Sequence, residues 1–174
     1  MCELRLVMES FAAELAALNR GPEDLVDMDD AMRQMQRPVA ELDQNPESEQ
    51  LVQELAREDI QFHLAILNAS GNSLLRGKVL RFHLFNKPVN INLPRMSSGA
   101  QGRDLPLGGD SERRHYVFKC HRKIFDAVIA RQPEMARTAM HEHLKEIINR
   151  NMVSMARRER SQTKLQCYAP LVRR

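Results

Sequence analysis

Apolar residues recur at helical spacing along most of the chain, in segments separated by glycine, proline and asparagine. Leu4, Val7, Phe11, Leu15 and Leu18 form a first stripe, stopped by Asn19-Arg20-Gly21-Pro22, a capping glycine followed by proline. Glu23 and Asp24 open a second helix, where acids suit the positive end of the helix dipole. Its stripe is Leu25, Met28, Met32 and Met35, and Pro38 is expected to close it. Pro46-Glu47-Ser48-Glu49 starts a third helix, which runs to Ser70-Gly71-Asn72. A fourth continues from Asn72 to Asn86 through Leu75, Val79, Phe82 and Phe85, until Lys87-Pro88 breaks it. The fifth spans Glu112 to Ala130, with Val117, His121, Ile124 and Val128 on one stripe. Arg131-Gln132-Pro133-Glu134 turns into a sixth, striped by Ala136, Met140, His143 and Ile147. There is no strand-like alternation and no repeat. The pattern predicts an all-α antiparallel bundle of about six helices.

Two stretches depart from this periodicity. Residues 88–110 hold three of the eight prolines and four of the seven glycines. They are expected to form a long loop, disordered or acting as a lid. Residues 157–174 carry six basic residues and one acid, which suits a solvated tail. One domain over residues 1–156 with that tail appended is the expected organisation.

Composition narrows the class. Hydrophobic content of 43% and charged content of 28% are those of a globular chain. No apolar run is long enough to span a membrane, and no signal-peptide pattern opens the chain. Cys2, Cys120 and Cys167 are odd in number, far apart and without CxxC spacing, which implies reduced thiols and a cytoplasmic address. The net charge of +3 divides unevenly: residues 1–62 carry 15 acids against 5 bases, and residues 63–174 carry 21 bases against 8 acids. The basic residues are scattered over helix surfaces instead of forming a stripe with aromatics. Two halves of opposite sign folding together is therefore preferred to nucleic-acid binding.

Chemistry enters where the stripes are broken by polar residues. Asp59 sits in the series Val52, Leu55, Asp59, Phe62, Ile66, where the period asks for a hydrophobe, and His63 follows one turn later. A carboxylate aimed at a helical core needs a positive partner. A metal ion is one; a buried Asp–His or Asp–Arg pair is the alternative. His121 and His143 also occupy apolar-stripe positions, whereas His141 falls on a polar face. Three histidines and an aspartate facing inward from three helices are a mixed N/O set suited to Zn, Ni or Mn. His83 and His115 are residual candidates. Cys120 points about 100° away from its neighbour His121 on the helix and is excluded as a ligand. Glu112 to His115 is the sole E-x-x-H spacing, which disfavours a di-iron carboxylate site.

Four segments then match one family. Asp59-Ile-Gln-Phe62-His63 followed by Asn68-Ala-Ser-Gly71-Asn72 resembles the D-x-x-F-H … a-s-g-N signature of the FadR C-terminal (FCD) domain, the effector-binding half of one branch of GntR-type bacterial transcription regulators. His121 to Ile129, then Ala136, Met140, His143 and Leu144, resemble that domain's closing pattern, and Glu3 to Ala17 is similar to its first helix. The resemblance implies a divalent metal held by Asp59, His63, His121 and His143, with Zn first and Ni or Mn as alternatives. It also implies a small organic acid bound at that metal, Arg5 paired with the acid's carboxylate, and a homodimer. The family's N-terminal winged-helix DNA-binding domain has no counterpart in residues 1–174, so DNA contact is expected only through that missing domain. The resulting expectation is a non-enzymatic ligand-sensing domain. The competing expectation is a metal-dependent hydrolase or lyase using the same His3Asp set.

Overall fold

The computed structural model describes the backbone of residues 2–86 and 111–149, and the side chains of 3–81 and 111–149. The expected loop at 88–110, the tail at 157–174 and the His83 side chain lie outside the described residues. Five helices run over Cys2–Asn19 (α1), Pro22–Gln44 (α2), Glu49–Ala69 (α3), Ser73–Asn86 (α4) and Ser111–Ile129 (α5). A sixth, α6, covers 133–149. No strand occurs among the described residues.

The helix ends follow from local chemistry. Pro22 occupies the first turn of α2, and the Gly21 N–H donates to Asp24 Oδ2 at 2.8 Å. Ser48 caps α3 and Asn72 caps α4, the latter accepting from the Leu75 N–H at 2.9 Å. Gly71 ends α3 with a φ of 68°, a left-handed conformation that costs glycine little. Arg131 plays the same part after α5 with a φ of 53°. The Gln132 N–H reaches Ala127 O at 3.0 Å and the Arg131 N–H reaches Val128 O at 3.1 Å, a Schellman closure.

Short turns join α1 to α2, α2 to α3, α3 to α4 and α5 to α6. α3 lies against α1, α2 and α4, and α5 packs on α1 and α2. The core runs along matching stripes: Met28, Met32, Met35, Val39 and Leu42 on α2, and Val52, Leu55, Phe62 and Ile66 on α3. Ile124, Phe125 and Val128 add to it from α5, and Ala136, Met140 and Leu144 from α6.

Two expectations fail. α2 does not stop at Pro38 but continues through it to Gln44. Pro38 forfeits one backbone hydrogen bond, at about 3 kcal/mol or more. Continuing buries Val39 (3% exposed) and Leu42 (0%), which extend the methionine stripe by two places and offset that loss at roughly 1.5–3 kcal/mol each. The second failure is on α1. Four of its five stripe residues face outward: Leu4, Val7, Phe11 and Leu18 are 47%, 63%, 41% and 52% exposed, and Leu15 is half-buried. The inward face is Ala12, Ala13, Ala16 and Ala17, all fully buried. Methyl side chains let the α1 backbone lie close to its neighbours, and this close approach brings a buried acid, Glu9, to the site.

Candidate metal centre

Asp59 and His63 project from α3, His121 from α5 and His143 from α6, and all four are buried. Phe62, Leu55 and Ile66 on α3, Ile124 on α5 and Met140 on α6 anchor these helices in the core, so the polar positions between them converge. His143 Nε2 lies 3.1 Å from His121 Nε2 and 3.3 Å from His63 Nε2. Asp59 Oδ1 is 3.5 Å from His121 Nε2. One ligand atom from each of the four falls within 4.8 Å of every other. The Phe62 ring lies 4.6 Å from the His121 ring, centroid to centroid, and closes one side.

The far ring nitrogens establish what the near ones can do. His63 Nδ1 is 2.8 Å from Glu9 Oε2, and an ionised carboxylate only accepts. This contact favours a proton on Nδ1, and His63 Nε2 faces His143 Nε2 at 3.3 Å. His121 Nδ1 is 3.3 Å from Met35 Sδ, again an acceptor, which assigns His121 the same tautomer. Burial first, and His63 second, hold His143 down to about 3, so its ring is neutral at physiological pH. In a metal-free protein one Nε2 proton on His143 satisfies one of these two acceptors at a time. A cation satisfies them together.

The spacing fits one. Two nitrogens on a common ion at about 2.0–2.1 Å lie about 2.9–3.4 Å apart between right-angled and tetrahedral geometry. The two Nε2 separations fall inside that interval. Three imidazoles with one carboxylate form a borderline N/O donor set suited to a divalent ion. This buried Asp/His3 group can thus hold a metal ion.

The remaining sequence candidates fall elsewhere. Arg5 is on α1, and its Nε donates to Glu9 Oε1 at 2.7 Å. His141 is exposed, as its polar-face position predicts. His115 is half exposed at the start of α5, with Nε2 2.7 Å from Asp43 Oδ2. Asp43 also accepts from Ser111 Oγ at 2.6 Å and from Arg114 Nη2 at 3.1 Å, tying the end of α2 to the start of α5. The Ser111 hydroxyl and then His115 hold the Asp43 carboxyl down at about 2. Cys120 is outside the cluster, and burial pushes its thiol up, which keeps it protonated. Glu9 is the residue the stripes missed. Its signal was its place, one turn before Ala12 and Ala13 on the alanine face.

Known proteins resemble the chain over most of its length. The FCD domain family matches residues 1–146. The HTH-type transcriptional regulator LutR of Bacillus subtilis (strain 168) is 28% identical over 144 residues, which are 83% of this chain and 57% of that protein. The chain thus spans little more than half the length of this curated relative. The solved structure of E. coli McbR/YncC shares the fold with a TM-score of 0.59 at 15% identity, over 84% of this chain and 63% of that one.

Proposed function

This chain belongs to the FCD domain family, and from that premise we propose that it is the ligand-sensing domain of a GntR-type transcription regulator, binding a small organic acid at a divalent metal and passing occupancy to a DNA-binding domain. The observation that carries the proposal is the convergence of three imidazoles and Asp59 in one buried cluster. Asp59, His63, His121 and His143 are the ligands, and zinc is the ion the donor set suits first, with nickel and manganese next. When bound, the ion supplies Lewis-acid attraction for a carboxylate or hydroxy-acid oxygen. Glu9 and Arg5 cancel one another at 2.7 Å, so Asp59 alone offsets one of a divalent ion's two charges. The centre as a whole then attracts an anion. Arg5 offers a second anchor for its carboxylate, in the bidentate manner guanidinium groups favour.

The outward apolar face of α1, with Leu4, Val7, Phe11 and Leu18 exposed, supports a homodimer through that helix. Effector binding would act as a population shift between two arrangements of such a dimer. Operator recognition belongs to a winged-helix domain outside residues 1–174. LutR is a transcription regulator by name, and a sensor rather than an enzyme is the consistent reading. No described helix is long and apolar enough to cross a membrane.

Calorimetric titration of small carboxylic and hydroxy acids, with and without prior zinc loading, tests the proposal. Binding heat that depends on zinc, without turnover, is expected. Conversion of any acid in the set would replace the sensor by the enzyme, and silence in both states would leave a structural cluster.

A further inference from the structure

Glu9 is 1% exposed and bridges α1 and α3. Its Oε1 accepts from Arg5 Nε at 2.7 Å on its own helix, and its Oε2 lies 2.8 Å from His63 Nδ1 on α3. A carboxylate so deeply buried must be held by partners of opposite polarity. Arg5 supplies the charge, and the His63 ring, with Nδ1 2.8 Å from Oε2, supplies the second contact.

We propose that Glu9 is the positioning carboxylate of the metal centre: it fixes His63 with its proton on Nδ1 and its Nε2 lone pair toward His121 and His143, and Arg5 holds Glu9 in register. This rests on the metal reading given above. A carboxylate on the far nitrogen of a ligating histidine locks the ring's orientation and raises its basicity, and losing such a partner typically weakens metal affinity about 10–100-fold. The alanine face of α1 is part of the same device, because Ala12, Ala13 and Ala16 are fully buried and allow the helix close enough for a glutamate to span the gap. Glu9 touches only a ligand and donates nothing to the ion.

Two measurements on the full chain test the inference. Zinc affinity is read by competition with a chromophoric chelator for the wild type, Glu9→Gln and the surface control Glu3→Gln. The His63 tautomer is read from long-range nitrogen–proton NMR correlations in the metal-free protein. Wild type is expected to show the Nδ1–H tautomer at His63. Glu9→Gln should bind zinc about 10–100-fold more weakly with its helical circular dichroism retained, while Glu3→Gln binds as wild type. Where Glu9→Gln alone unfolds, the double variant Arg5→Met/Glu9→Gln removes both charges together and carries the same expectation. Wild-type uptake of zinc with undiminished uptake by these variants, or a proton on His63 Nε2, overturns the role of Glu9 alone. A wild type that takes up no zinc overturns the metal reading and the Glu9 inference with it.

Discussion

Acid should destabilise the metal-free protein through His143, and the size of the effect follows from its burial. The ring is 1% exposed and faces two other imidazoles. Its pKa is held at about 3, against 6.5 for the unfolded chain. Because the folded value is depressed, the unfolded state takes up the proton first. His143 therefore costs the fold nothing above about pH 6.5, and stability falls as pH drops from there toward 3. Between about pH 7 and pH 5 the linkage amounts to about 2 kcal/mol, nearly independent of where below 4 the folded value lies. For a chain of this size that is a fall of about 4–8 °C in melting temperature. The assay is thermal unfolding by circular dichroism in the presence of a chelator at the two pH values, for wild type and His143→Leu. Leucine nearly conserves the volume and cannot titrate, so the variant's pH-dependent drop should be smaller by about 2 kcal/mol. Equal drops for both proteins would refute the reasoning and place His143 in a solvated or already charged state.

Other perturbations separate the ligands from their surroundings. Zinc at about a thousandfold above its dissociation constant should stabilise the wild type by about 4 kcal/mol in thermal melts. That shift should vanish in Asp59→Ala and His121→Ala and persist in His141→Ala, whose side chain is exposed; loss of the shift in the last would disprove the assignment. Val7→Asp with Phe11→Asp places charges on the exposed face of α1 and should reduce a dimeric mass to a monomeric one in light scattering, with helicity retained. An unchanged mass would move the interface elsewhere. Gly71→Ala should cost about 1 kcal/mol in denaturant unfolding, since its φ of 68° penalises a Cβ even though the nearest non-local atom, Asn19 Nδ2, is 3.6 Å away.

The Asp/His cluster was legible because its members break a rule that the rest of their helices obey. Asp59, His121 and His143 occupy positions where a 3-4 stripe requires a hydrophobe, and such exceptions stand out in any well-ordered stripe. Glu9 could not be found that way, since it breaks an alanine face, and alanine weighs little in a hydrophobic pattern. The same blindness reversed α1. Amphipathicity identifies the more apolar side of a helix, but Leu4, Val7 and Phe11 face out because close approach to α3 and α5 requires small residues on the inner side. At Pro38 the local rule for ending helices was sound and lost to packing: Val39 and Leu42 gain more from the core than the backbone forfeits. That six stripes make an all-α bundle was readable from their period; which face of α1 turns inward was not.

Side chains of Arg20, Asn19, Arg131 and Arg137 bind the C-terminal half of α1 to its neighbours. At its C-terminal end Arg131 donates to Leu18 O at 2.8 Å and to Arg20 O at 3.2 Å, while Arg20 Nε donates to Val128 O at 2.8 Å. Asn19 adds a bond to Ser70 O at 2.8 Å, and Arg137 reaches Glu14 at 2.8 Å. Were that end to stay fixed, α1 would act as a lever arm. At 1.5 Å per residue, Glu9 lies about 15 Å from Asn19 and the first turn about 25 Å. A shift of about 1 Å at Glu9, driven by rearrangement around His63, swings the start of α1 by about 1.7 Å. Any such displacement at the Asp/His cluster would be magnified at Leu4 and Val7 on the exposed face.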